Sequence, residues 1–269
     1  MIKEDYNGLI YYSYSLFEPF SQQVSNVVST RLGGVSQGYS HSLNLSFSKM
    51  VGDDEEAVIT NRSRFYGVLN IQPEQVAQGE LVHESNVAVV TEQTPRGTFE
   101  KLARTDGLVT NVPNIGLFIP VADCAAISFF DPKQQVIAMI HSGWRGTVKG
   151  IIQETVKKMI QFGSSPADIL VGISPILEKC SYQVKQDLVD TLMTAFPTQA
   201  HNFFMQQPDD TYLFDFLALL MWQLRESGVQ DNHIEESGMC TACRTDEFYS
   251  HRAEHGKTGR FAGLIMLKE

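Results

Sequence analysis

The hydrophobic and polar positions along the chain alternate between two periods, one suited to strands and one to helices. Residues 24–30 read as a strand and run into the glycine-rich loop Gly33-Gly34-Val35-Ser36-Gln37-Gly38. A helix is expected from Asp53, because Asp53 and Glu56 have capping-box spacing. Val58, Arg62, Phe65 and Leu69 fall on one side of it, with the aliphatic stem of Arg62 bridging the apolar stripe, and Asn70 and Pro73 close it. Strand-like runs follow at 87–91, 115–121, 125–130 and 135–140, several of them apolar at every position, as buried strands are. Residues 147–162 carry Ile151, Ile152, Thr155, Val156, Met159 and Ile160 at helical spacing, and Gly163 is placed to end that helix. A short strand is expected at 169–173. Val184, Leu188, Leu192 and Phe196 recur every fourth residue until Pro197 stops the helix they mark. A further helix at 215–227, ended by Gly228, and a final strand at 261–267 complete the pattern. Strands and helices mix without strict strand-helix-strand alternation, which indicates an α+β fold with a mixed sheet.

The length, 269 residues, is compatible with one large core or two small ones. No repeat, low-complexity tract or linker divides the chain, so residues 1–269 are read as a single domain. Hydrophobic residues make up 43% and charged residues 19%, enough apolar material for a large core. With 21 Lys and Arg against 31 Asp and Glu, the net charge of −10 disfavours nucleic acid and anionic membranes as partners. No apolar stretch has the length of a signal peptide or a membrane span, so a cytoplasmic location is expected; no protein partner is inferred. The four cysteines, Cys124, Cys180, Cys240 and Cys243, are too few and too unevenly spaced for a disulfide framework and are expected reduced or metal-bound. Cys240-Thr241-Ala242-Cys243 is a single CxxC; a structural zinc there would need two more ligands, for which Cys180, His233, His251 and His255 remain, and the motif is read as holding no metal.

Three residues stand out chemically, although each alone has a plain structural explanation. Cys124 begins an apolar strand, where a thiol packs as a small hydrophobe. His141 ends a strand before a glycine turn, and His83 follows the apolar pair Leu81-Val82. Together they offer two imidazoles and a thiolate, a set that suits zinc and leaves a fourth tetrahedral position for water. Their separations form no short metal-binding signature.

The surrounding words are more specific. They are Thr30-Arg31-Leu32-Gly33-Gly34-Val35-Ser36, Ser42-Leu43-Asn44-Leu45, Val82-His83, Asp106-Gly107-Leu108-Val109-Thr110, Ala122-Asp123-Cys124, His141-Ser142-Gly143-Trp144-Arg145-Gly146-Thr147 and Thr258-Gly259-Arg260. In this order they resemble the bacterial laccase-domain family, whose members are purine nucleoside phosphorylases formerly described as multicopper polyphenol oxidases and also as peptidoglycan editing factors. The resemblance runs from about Val24 to the C-terminus. It implies that His83, Cys124 and His141 are zinc ligands. It further implies phosphorolysis of adenosine, inosine and methylthioadenosine, adenosine deamination, and one α+β domain built as a mixed β-sandwich flanked by helices. Leu81 departs from the family's usual Gln, and Ala125-Ala126 replace a proline-containing continuation after the cysteine.

For deamination, zinc-activated water would attack C6 of adenosine, with Asp123 as general acid or base and Glu84 as an alternative; either carboxylate would serve equally as a partner orienting a ligand. Phosphorolysis needs an anion site, and the glycine turn of Gly143 to Thr147 at a helix start offers one, with Arg145 and Arg31 as candidate phosphate ligands. Trp144 is placed to stack on a purine or to pack in the core, and Asn44 to bond ribose or base. Other readings are a cysteine hydrolase or amidase in which His141 activates Cys124, editing of a peptidoglycan precursor, and a zinc-stabilised binding protein. Copper-dependent polyphenol oxidation is disfavoured, because seven histidines contain no His-x-His pair, although copper can occupy the same three ligands.

Overall fold

The computed structural model describes residues 1–269. In chain order its strands are β1 (Ile2–Tyr6), β2 (Leu9–Ser13), β3 (Val24–Ser29), β4 (Val76–Gln78), β5 (Val87–Val89), β6 (Gly107–Thr110), β7 (Gly116–Val121), β8 (Ala125–Asp131), β9 (Val136–Ser142), β10 (Leu170–Ile173), β11 (Gln183–Val184), β12 (Phe204–Gln206), β13 (Tyr212–Phe214), β14 (Ile234–Glu236) and β15 (Phe261–Leu267). The helices are α1 (Glu55–Gly67), α2 (Trp144–Val148), α3 (Ile151–Gln161), α4 (Gln186–Ala195) and α5 (Phe216–Glu226). No helix is long and apolar enough to cross a membrane.

Two six-stranded sheets, ordered β1-β2-β3-β15-β7-β4 and β14-β10-β8-β9-β6-β5, pack face to face, and a small sheet β11-β13-β12 stands beside them. Both large sheets are mixed, with β4 parallel to β7, β5 to β6 and β10 to β14 among otherwise antiparallel pairs. The period of two sorts the side chains of the central strands. Ala126 and Phe130 of β8 join Leu117, Ile119 and Ile265 in the layer between the sheets. Ile127 and Phe129 face the other way, onto Val156 and Met159 of α3 and Leu220 and Leu224 of α5. On the far side of the first sheet, Val27, Phe118 and Leu264 pack under Phe65 and Tyr66 of α1. Each central strand is therefore buried on both faces, which is why these runs are apolar throughout and show no alternation. The architecture is the α+β fold with mixed sheets that the periodicity indicated, arranged as the single-domain mixed sandwich flanked by helices that the family resemblance implied.

Several local expectations are corrected. The N-cap of α1 is Asp54, whose carboxylate accepts from Ala57 N at 2.9 Å, because Asp53 is instead held by Ser36 Oγ and Asn44 Nδ2. The helix expected over 147–162 is two helices, split where Gly150 takes a left-handed φ of 84°. Val184 lies in β11 rather than on the helix carrying Leu188 and Leu192, since α4 begins only at Gln186. The hairpin β1-β2, turned at Asn7-Gly8, carried no apolar alternation strong enough to mark it, since every residue of β1 is exposed.

Candidate functional site

Strand register assembles the site. In the β8-β9 pair Ala126 lies opposite His141 and Ala125 opposite Ser142, so Cys124, immediately before β8, is carried to the end of β9. In the β6-β9 pair Gly107 lies opposite Ile140, which sets Asp106 beside His141, and His141 N donates to Asp106 O at 2.7 Å. His83 arrives on the loop after β4. His83 and Asp123 both hold left-handed φ values, 60° and 76°, uncommon for residues with a side chain and concentrated in functional loops.

Asp106 ties these pieces together, a role its place in an Asp-Gly dipeptide before a strand did not disclose. It is completely buried. Its Oδ1 lies 2.8 Å from His141 Nδ1 and accepts from His83 N at 2.9 Å, while Oδ2 accepts from Glu84 N at 3.0 Å and Val82 N at 3.1 Å. Burial works to raise the Asp106 carboxyl, but the bond to His141 and the backbone N–H groups of Glu84 and Val82 outweigh it, and the group sits below the usual carboxylate range. An ionised anchor thus fixes both the loop of His83 and the ring of His141. With Nδ1 directed at Asp106, the Nε2 of His141 is the nitrogen left to bind a metal.

The donor atoms of His83, Cys124 and His141 lie within 4.8 Å of one another, and the two imidazole rings meet edge to face at 4.7 Å. Bonds of about 2.0–2.3 Å in a tetrahedron require donor separations of roughly 3.3–3.8 Å, a range that lies inside the 4.8 Å limit on these separations. His141 is buried, Cys124 half-buried and His83 exposed, which leaves one side open to solvent. Burial pushes the Cys124 thiol up, yet the neighbouring His141 and His83 bring it down to about 6. The same thiolate, with Asp106, raises His141 to about 9 against the effect of burial.

Gly143 completes the cradle. A Cβ there would stand 2.9 Å from Cys124 Sγ and 3.2 Å from His83 Cδ2, inside the space between the ligands. Its φ of −90° suits any residue, so the demand for glycine comes from the site and not from the backbone. Gly143→Ala is accordingly expected to weaken metal affinity by about tenfold or more while moving Tm by only a few degrees. Isothermal titration and thermal melts check this, and unchanged affinity contradicts it.

A cavity of about 590 Å³ opens over His83, Cys124 and His141. Its wall holds Arg62, Lys101, Arg145, Arg252 and Arg260 against only Glu80 and Asp123 as carboxylates, a local cationic excess in a chain whose net charge is −10. Burial and the charge of Arg62 hold Lys101 below its ordinary value. Arg62 is engaged by Leu45 O and Gln78 Oε1, and Arg252 by Gln183 O. Arg145 lies exposed with its guanidinium 4.3 Å from the Trp144 ring centroid.

Of the residues singled out in the sequence, Asp123, Trp144 and Arg145 line this cavity with His83, Cys124 and His141. Asp123 accepts from Thr241 Oγ1 at 2.6 Å and Arg252 N at 2.7 Å. Arg31 lies elsewhere, bonded to His41 O, Thr245 O and the Glu254 carboxylate. Asn44 is fully buried, its amide engaged by Ser46, Asp53 and the backbone N–H of Arg260, so it knits loops together and does not face a ligand. Glu84 turns to Lys149, away from the cavity. The helix expected to present its N-terminus to phosphate is α2, only five residues long, so the cationic side chains carry the anion argument instead. Tyr182, Lys101, Arg252 and Arg260 were not identified from the sequence. Arg260 alone fell within a quoted word.

Comparison with known proteins adds a family. Residues 25–268 match the family model described as multi-copper polyphenol oxidoreductase laccase. The purine nucleoside phosphorylase YlmD of Bacillus subtilis is 34% identical over 247 residues, covering 90% of this chain and 87% of that protein. The crystal structure of YlmD from Geobacillus stearothermophilus superposes with a TM-score of 0.90 at 30% identity, covering 99% of this chain and 98% of that one. That of the Bacillus licheniformis hypothetical protein YfiH superposes with the same TM-score at 32% identity, covering 99% of both chains.

Proposed function

The chain belongs to the multi-copper polyphenol oxidoreductase laccase family, and on that premise we propose that it is a zinc-containing purine nucleoside phosphorylase acting on adenosine, inosine and methylthioadenosine, with adenosine deaminase activity in the same cavity. The observation that carries this reading is the pairing of a His-Cys-His donor set with a cationic wall in one cavity. Phosphorolysis joins a phosphate oxygen to C1′ of the nucleoside and breaks the bond from C1′ to N9, so the protein must hold an anion and a purine side by side. Arg145, an exposed cation on the cavity wall, would take the phosphate, and Trp144 and Tyr182, whose rings already carry the Arg145 and Arg252 guanidinium groups over one face, would stack on the base with the other. His83, Cys124 and His141 would hold the zinc, which would supply Lewis acidity toward the water needed for attack at C6. Asp123 is the carboxylate beside Cys124 positioned to hold a proton during that step, with Thr241 and the Arg252 backbone fixing its direction.

The test is product analysis. Zinc-loaded protein given adenosine should release adenine and ribose 1-phosphate only when phosphate is present, and inosine with or without it; no product from any purine nucleoside removes the proposal. Arg145→Ala should raise KM for phosphate by about 10–100-fold with little change in Tm, because the guanidinium is exposed and its one contact is the stacking on Trp144. An unchanged phosphate KM in initial-rate kinetics would assign the anion elsewhere on the wall.

The lowered Cys124 thiol beside a raised His141 favours one second reading, a cysteine hydrolase using a thiolate nucleophile. It separates cleanly from the first. A hydrolase keeps its activity under chelator and loses it to iodoacetamide in metal-free form, whereas the zinc enzyme is silenced by the chelator.

A further inference from the structure

A second group of soft ligands lies outside the cavity. Cys180, in the turn before β11, meets Cys240 and Cys243 of the CxxC, and the three sulfurs lie within 4.8 Å of one another. Cys180 Sγ is 3.5 Å from Cys243 Sγ, across 63 residues of sequence. Ser181 Oγ sits 3.4 Å from Cys243 Sγ and 3.7 Å from Cys180 Sγ. In a tetrahedral zinc site with Zn–S bonds of about 2.3 Å and a Zn–O bond of about 2.0 Å, sulfurs stand roughly 3.8 Å apart and a sulfur and an oxygen roughly 3.5 Å. Of the candidate partners in the sequence the fold thus brings Cys180 to the CxxC as a third thiolate, with the Ser181 oxygen at the fourth corner.

We propose that Cys180, Cys240 and Cys243 form a second metal site, closed by Ser181 Oγ or water, that takes zinc as a structural ion distinct from the one in the cavity. All four cysteines are free thiols in the structure, so binding releases thiol protons to solvent and requires no oxidant. Cys180 and Cys243 are exposed, and Cys180 and Ser181 border a shallow pocket of about 380 Å³, which gives an ion its entry path. Three thiolates favour zinc over hard cations.

The location gives the site a purpose. Ile176 N donates to Met239 O and Thr241 N to Ile176 O, so the two segments already lie side by side. One leads to Leu177 and Tyr182 and the other to His251 and Arg252, all on the cavity wall. Zinc at the three cysteines would pin these segments together directly behind that wall.

The test counts metal in the full-length chain. After stripping and reloading, the wild type should hold about two equivalents of zinc, and Cys124→Ala, Cys243→Ala and Cys180→Ser about one each. Cobalt-loaded Cys124→Ala should keep the strong near-ultraviolet thiolate-to-cobalt charge-transfer band of a multi-thiolate site, and Cys243→Ala should lose most of it. These readouts need no turnover, so they succeed or fail independently of the phosphorylase assignment. A wild type that holds one equivalent, all of it lost in Cys124→Ala, overturns the site. A Cys180–Cys243 disulfide that persists after treatment with reductant and zinc overturns it equally.

Discussion

Cys124→Ala is expected to abolish metal binding at the cavity and purine nucleoside turnover while leaving the fold in place. The sulfur is one of three donors and the only anionic one, and its loss leaves two imidazoles facing solvent. Removing a group that merely orients a ligand costs about 10–100-fold in metal affinity, so removing the ligand itself should exceed that range. The structural cost is small. Cys124 is only half-buried, and replacing a thiol by hydrogen there is worth about 1 kcal/mol. Circular dichroism should match the wild type, and zinc bound at the cavity, measured by elemental analysis in a Cys243→Ala background, should fall to zero. Retention of that ion would show that Cys124 is not a ligand.

Asp106→Ala should combine a loss of affinity with a loss of stability. The carboxylate accepts from three backbone N–H groups and holds His141 Nδ1 in a fully buried position. Truncation leaves those groups without an acceptor, at about 1–3 kcal/mol for each that water does not reach, so a total near 3–5 kcal/mol is expected. For a chain of this length that lowers Tm by roughly 6–20 °C. The ring of His141 and the loop of His83 both lose their anchor, so zinc affinity should fall at least about 100-fold. Asp106→Asn should lie between, because its carbonyl can still face His141 while its amide opposes the N–H donors of Val82 or Glu84. A double measurement of Tm and zinc affinity checks the pairing of the two losses. A variant with unchanged zinc affinity and a lowered Tm would reduce Asp106 to a purely structural role.

The difference between Cys124 and Asp106 shows what local pattern conveys. Central strands were legible because burial on both faces forces unbroken apolar runs, as in 125–130 and 135–140. Helix ends were legible where a residue does a local job, such as Asp215 capping α5 or Gly163 closing α3. His83, Cys124 and His141 were legible as donor types in recognisable words, though nothing in their spacing brings them together. That convergence depends on the register of β6, β8 and β9, which no local periodicity encodes. Asp106 was hidden for the same reason, its partners lying 22 to 35 residues away. Arg31 and Asn44 carried the chemistry of binding residues, and folding engaged that chemistry in holding loops to each other. Cys180 is the converse case. The sequence offered it, beside three histidines, as one of four candidate partners for the CxxC, and only the fold, by returning the CxxC to this exposed turn, selects it.

The central claim is that two imidazoles and one thiolate hold a catalytic ion at the floor of the cationic cavity. Zinc-edge anomalous diffraction from crystals grown with zinc and a purine nucleoside tests it most directly. The account predicts a peak about 2.0–2.3 Å from a ring nitrogen of His83, Cys124 Sγ and His141 Nε2, with the nucleoside in the same cavity. Zinc at Cys180, Cys240 and Cys243 alone, with no density between His83 and His141, would contradict it.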